Sequence, residues 1–196
     1  MTRRRLAAFA RDRRGVAAVE AAFIFPLMMV VLAIVATFAQ AFEIKRKVAQ
    51  TARTVTDLVT QYTGVNADQT VGPLELASLA ADLAAANGTM QPFSNNAPGA
   101  TTMVVTMAKA DATGLIGTVK WSQAYNGSAR AVNTVVALPT GVAAANGYVV
   151  LGEASFVYAP VQIWASAASY TLTSTIYLPP RQLTCIAVQT LYPACQ

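Results

Sequence analysis

Between Ala21 and Phe42 the chain runs for 22 residues without a formal charge, and this run limits the fold more than any other feature. A helix of that length rises about 33 Å at 1.5 Å per residue, enough to cross the hydrocarbon core of a bilayer. The run therefore predicts a membrane-spanning helix. Its N-terminal border is unusual. A basic cluster ends in Arg13-Arg14-Gly15, and a single carboxylate, Glu20, stands at the entrance to the apolar run.

An ionised carboxylate at the edge of hydrocarbon is costly unless it has a partner or stays at the headgroup level. A cut after Gly15 would supply a partner. The new α-amino group on Val16 would lie four residues before Glu20, one helical turn away on the same face, so that amine and acid neutralise each other within a helix or between neighbours. The simpler alternative is that Glu20 marks the interface of an ordinary single-pass helix. Spacing alone leaves both open.

Arg13-Arg14-Gly15, Ala18-Val19-Glu20, the apolar stretch and Pro26 resemble the processing region of the TadE-like family, pseudopilins of the tight-adherence (Tad) branch of type IV pilus machinery. Thr51 to Gln61 resembles the second half of that family's long helix. Gly147 to Val150, Glu153 to Pro160, and Pro180-Arg181 resemble its later regions, whereas residues 65 to 146 carry no matching motif. The resemblance implies cleavage by a prepilin peptidase after Gly15, leaving Val16 first, with Glu20 required for assembly. It also implies the membrane, the peptidase and other pilins or pseudopilins as partners. Ala21 departs from the family, which often has a large apolar residue after the glutamate.

Of the 196 residues, about 150 lie beyond the leader and the apolar run, enough for one domain with a core of its own. The net charge of +5 would suit a nucleic-acid partner if it were clustered on a folded face. It is not, because Arg3, Arg4, Arg5, Arg11, Arg13 and Arg14 against Asp12 place the whole excess before Val16. A chain starting at Val16 would be neutral. The charge is topogenic, and no nucleic-acid partner is expected.

Six arginines precede the apolar run and Lys45, Arg46, Lys47 and Arg53 follow it. The positive-inside rule then keeps the N-terminus cytoplasmic and places everything after Phe42 outside the inner membrane, in the periplasm. A removed signal peptide is the competing reading, since Ala39-Gln40-Ala41 has the form of a cleavage site. An apolar run above 20 residues exceeds the usual signal core of roughly 7 to 15, and it flows into more helix, which favours a retained anchor.

Ile44, Val48, Ala52, Val55, Val59 and Tyr62 recur at helical spacing and form one apolar stripe. The expected organisation is a basic leader over 1–15, one long helix over 16–63 spanning the membrane at about 21–42, and an extracytoplasmic α+β domain over 64–196. Gly64 should stop the helix. A second helix is expected over 73–86, with Pro73 at its start, Leu76, Leu79, Ala80 and Leu83 buried, and Asn87-Gly88 at its end. Strands are expected around Met103 to Met107, Val119 to Tyr125, Tyr148 to Tyr158, and Tyr170 to Leu178. Tyr148 to Tyr158 is apolar on both faces apart from Glu153 and Ser155, so it reads as a central strand. Residues 128 to 145 have no clear period and read as loop. The long helix packed on an antiparallel sheet of about four strands is a pilin-like fold, with strand order left open.

Cys185 and Cys195 can close a small loop near the C-terminus. An extracytoplasmic domain favours a disulfide between them, and two free structural thiols are the alternative. The chain has no histidine, so neither a Ser-His-Asp or Cys-His arrangement nor a histidine metal ligand is available. The acids beyond residue 64 are scattered, and Glu153 inside an apolar strand is the one that invites a chemical role or, more simply, an outward-facing position. No catalytic residue, cofactor or metal is expected. Two function classes remain: a minor pseudopilin or assembly component of a Tad (type IVc) pilus, or a membrane-tethered envelope domain that binds a ligand or partner without a filament role.

Overall fold

The computed structural model describes residues 14–66, 69, 71–93, 101–159, 169–192 and 195. The leader before Arg14, Asp68, residues 94–100 of the loop after the second helix, Pro160 and Pro193 lie outside the described residues. Contacts divide the chain into an N-terminal unit ending at Ala41 and a second unit, Phe42–Gln196.

Helix α1, Arg14–Thr60, is a single helix of 47 residues with Pro26 inside it. In the N-terminal unit its side chains are turned outward on all sides, with Phe23 78% and Leu32 62% exposed. That is the pattern of a helix whose apolar surface is meant for lipid or other helices rather than for a core of its own chain. It is long and apolar enough to cross a membrane.

In the second unit the stripe read from the sequence is buried: Ile44, Val48, Ala52, Val55 and Val59 are each at most 3% exposed. Tyr62 is half-buried and lies past the helix end. The helix stops at Thr60, earlier than Gly64, because its last carbonyls are taken locally. The Thr60 hydroxyl donates to Asp57 O at 3.0 Å and Arg181 N donates to Thr60 O at 3.0 Å. Gly64 follows in the left-handed region, φ +86°, which suits glycine.

Helix α2 covers Leu76–Ala86 and continues as a 3₁₀ turn over Asn87–Met90. It begins three residues after Pro73, with Glu75 as its extended N-cap. Pro73 instead stands in a segment pinned by the Asn66 side chain, which donates to Pro73 O at 3.2 Å and accepts from Glu75 N at 3.2 Å. Leu79 and Leu83 are buried as expected, whereas Leu76 is only half-buried and Ala80 is exposed; Ala86 is buried in their place. α2 packs against β2.

Five antiparallel strands form one sheet: β1 Thr101–Ala110, β2 Ile116–Tyr125, β3 Val135–Ala137, β4 Tyr148–Tyr158 and β5 Tyr170–Leu178. Their spatial order is β3-β2-β1-β4-β5. β4 lies between two strands, in keeping with its apolar faces, although the middle of the sheet is β1. The additional strand, β3, falls in the stretch that reads as loop. It pairs through Ile116↔Ala137, Gly117↔Val136 and Thr118↔Val135.

Register assigns the faces. Val105 opposes Gly152, and Met103 and Met107 oppose Ala154 and Val150, so these residues share the face that meets α1. A Cβ on Gly152 would stand 2.9 Å from Ala52 O and collide with the Thr56 hydroxyl, which shows how closely helix and strand approach. The core continues through Trp121, whose indole N–H donates to Ile186 O at 2.9 Å, and through Met107, whose sulfur accepts from Ile186 N.

The other face is divided. Ala108, Ala110, Val149 and Leu151 form a second apolar cluster with Leu138, covered by Val142 and Ala143 from the loop after β3. The remainder of that face carries hydroxyls, with Thr102 opposite Ser155 and Thr106 bonded to Ser122 at 2.9 Å. Covering one half explains why β4 is apolar on both sides and why a simple division into one dry and one wet face does not hold.

Candidate functional site

Gly15, Val16 and Glu20 all fall in the first turns of α1. Each is exposed, Val16 at 54%, and a side chain added at Gly15 would meet nothing within 4 Å. Val16 and Glu20 are one turn apart on the same face of the helix. Around the acid, Ala17, Ala21, Ile24, Phe25 and Met28 form a shallow apolar surface. A carboxylate is thus set in an apolar stripe with no cation of the described residues paired to it. Its chemistry at that position is electrostatic: it can pair with an amine brought beside it, and the apolar surroundings strengthen such a pair.

Cys185 and Cys195 are together at disulfide distance, with Cα atoms 6.0 Å apart. The loop between them is fastened to the domain at several points. Leu74 N donates to Ala187 O at 2.8 Å, Gln189 N to Leu74 O at 2.9 Å, and Val188 and Tyr192 exchange backbone bonds at 2.8 Å. Tyr192 also faces Tyr148, whose hydroxyl is pushed up to about 12, first by burial and then by the hydrogen bond to Tyr192. The Lys109 ammonium lies 5.6 Å from the centre of the Tyr148 ring, a cation–π contact.

Glu153 has a specific partner that sequence spacing does not reveal. Arg130 grips it through both guanidinium nitrogens, Nη2 donating to Oε1 at 2.9 Å. The same arginine donates to the Thr106 hydroxyl at 3.4 Å, and its backbone N–H donates to Ser122 Oγ at 3.1 Å. The fork raises the Arg130 pKa above its ordinary value, chiefly through the bond to Glu153. This ion pair, with the Thr106 and Ser122 hydroxyls beside it, holds the loop after β2 onto the sheet. Asp111 at the β1–β2 turn is held below the usual carboxylate range, first by the Thr113 hydroxyl at 2.8 Å and also by backbone N–H groups of Ile116 and Thr113. No group of three or more metal-ligating side chains occurs among the described residues.

The TadE-like protein family matches residues 15–57. These residues are a TadE-like segment. The TadE-like match opens at Gly15, runs through Glu20 and the whole charge-free run, and closes at Asp57, inside the last turn of α1. It therefore covers the helix and stops short of the sheet. No curated protein and no solved structure matches the chain.

Proposed function

We propose that the protein is a minor pseudopilin or assembly component of a Tad (type IVc) pilus. The TadE-like match over a helix able to cross a membrane supports a Tad pilus-related membrane protein, and that overlap carries the reading. In this account α1 holds the chain in the inner membrane, N-terminus in the cytoplasm and α+β domain in the periplasm. A prepilin peptidase cuts between Gly15 and Val16, and the trimmed helix packs against those of other pilins or pseudopilins.

Glu20 then acts in assembly. Packed among apolar helices, the α-amine of Val16 and the Glu20 carboxylate offset each other's desolvation, within one chain or between neighbours. Removing the carboxylate strands an amine only where helices are packed together, so the penalty belongs to the assembled state. Glu20→Ala should insert and accumulate as the wild type does, yet fail to support piliation or to crosslink with pilin partners. Full piliation by Glu20→Ala, or its degradation before it can be detected, would show that the role assigned here is wrong.

The second reading, a membrane-tethered envelope domain that binds a ligand or partner without a filament role, draws on one observation: α2 and the five-stranded sheet lie outside the match. Unchanged piliation in a strain lacking the protein would favour it.

A further inference from the structure

We propose that Lys45, Arg46 and Lys47 form a cationic collar that binds the phosphates of anionic phospholipids where α1 leaves the membrane. The inference rests on the membrane span of Ala21 to Phe42 and is independent of any role in a pilus.

Three observations lead to it. The first is position along the helix. Phe42, 70% exposed, is the last residue of the charge-free run. Lys45 to Lys47 follow within about 8 Å at 1.5 Å per residue, which is the depth of the headgroup layer and within about one Debye length. Arg53, about 16 Å beyond Phe42 by the same rise, is outside that range.

The second is the absence of a protein partner. Among the described residues the ion pairs are Arg130–Glu153 and Arg181–Asp57. Lys109 lies over the Tyr148 ring. The domain thus engages cations elsewhere, while Lys45 and Arg46 are exposed and Lys47 half-buried with no carboxylate on any of them. Glu43 stands one turn before Lys47 and makes no ion pair with it.

The third is shape. Phe42, Glu43, Arg46, Lys47 and Gln50 line a surface depression of about 490 Å³ at the end of the apolar run. Phe42 beside Arg46 and Lys47 sets an apolar group next to cations, as acyl chain lies next to phosphate in a lipid, with Glu43 and Gln50 completing the lining. Ile44 and Val48 point into the core at 2% and 1% exposure, so the helix presents the basic residues on its remaining surface and cannot rotate them away without unpacking the domain.

The test is native mass spectrometry of the full chain, purified in detergent and offered phosphatidylglycerol and phosphatidylcholine in equal amounts. The wild-type chain should retain phosphatidylglycerol in excess, with a gain of about fivefold per cation near the surface. Lys45→Gln/Arg46→Gln/Lys47→Gln should lower the ratio by about fivefold per cation removed, leaving the share that the leader arginines contribute at the other end of the span, and Arg53→Gln should leave it at the wild-type value. Equal retention of the two lipids by the wild type, an undiminished preference in the triple variant, or an equal loss in Arg53→Gln would each overturn the collar. Incorporation into uncharged phosphatidylcholine vesicles tests the span separately: a chain that does not incorporate overturns both span and collar, whereas one that incorporates but shows no lipid preference overturns the collar alone.

Discussion

At Gly152 one hydrogen atom decides whether α1 can lie against the sheet. A methyl group there would meet Ala52 O at 2.9 Å and the Thr56 hydroxyl, and neither can withdraw, since Thr56 Oγ1 already donates to Ala52 O at 2.6 Å within a buried stretch of helix. Gly152→Ala should lower stability by about 1–3 kcal/mol, as overpacking does. Chemical denaturation of the full chain in detergent would show it, and an unshifted midpoint would contradict the close approach. Tyr148 supplies a pH test. Its folded pKa is raised, so its contribution is fully present below the unfolded value of roughly 10 and is lost as pH rises from there towards about 12. The measurement is the difference between wild type and Tyr148→Phe, which should show a shallower alkaline loss. The apolar stripe from Ile44 to Val59 was legible because period and residue type agree. Thr51, Thr56 and Thr60 are also buried, at 0%, and were not legible, because threonine counts as polar in a helical pattern. Their hydroxyls bond to carbonyls one turn back, Thr51 to Lys47 O at 2.9 Å and Thr56 to Ala52 O, which leaves the methyl groups free to pack.

Among the elements, β4, an apolar run between turn residues, and β5, in which apolar residues alternate with threonines, were legible to their ends, and β1 and β2 to within a few residues. β3 was not, because three residues of which two are valine carry no period. The loop that follows it was equally silent, yet Leu138, Val142 and Ala143 cover half of a sheet face. The grip of Arg130 on Glu153 spans 23 residues of sequence, and no local spacing rule links them. At the C-terminus, the Cys185–Cys195 pair closes a loop of sequence separation 10. Loop-closure entropy assigns such a bond about 2–3 kcal/mol. Cys185→Ser/Cys195→Ser should therefore unfold at lower denaturant by that amount while leaving the Trp121 to Ile186 packing in place at low denaturant. Non-reducing peptide mapping of the native protein should recover the two cysteines as one linked pair; quantitative alkylation of both without reductant would contradict it.

Over the whole molecule, fold class was legible because its cause is local: a charge-free run, an apolar stripe continuing it, and alternating strands afterwards allow few arrangements besides helix on sheet. Strand order was not, because β1 pairs with β4 across the β2–β3 excursion, and any order that buries the same residues satisfies the same pattern. The functional reading has the same division. The family match that ties the chain to a pilus lies between Gly15 and Asp57, whereas the described residues of the sheet domain hold no cluster of metal-ligating side chains that would name a ligand. The most direct test of the account is therefore the N-terminus of the protein in its own membrane. Intact-mass analysis of membrane fractions from cells with and without the prepilin peptidase should differ by the 15 residues from Met1 to Gly15, the chain beginning at Val16 wherever the peptidase is present. A chain that still begins at Met1 in peptidase-positive cells, or one that begins at Phe42, would contradict it.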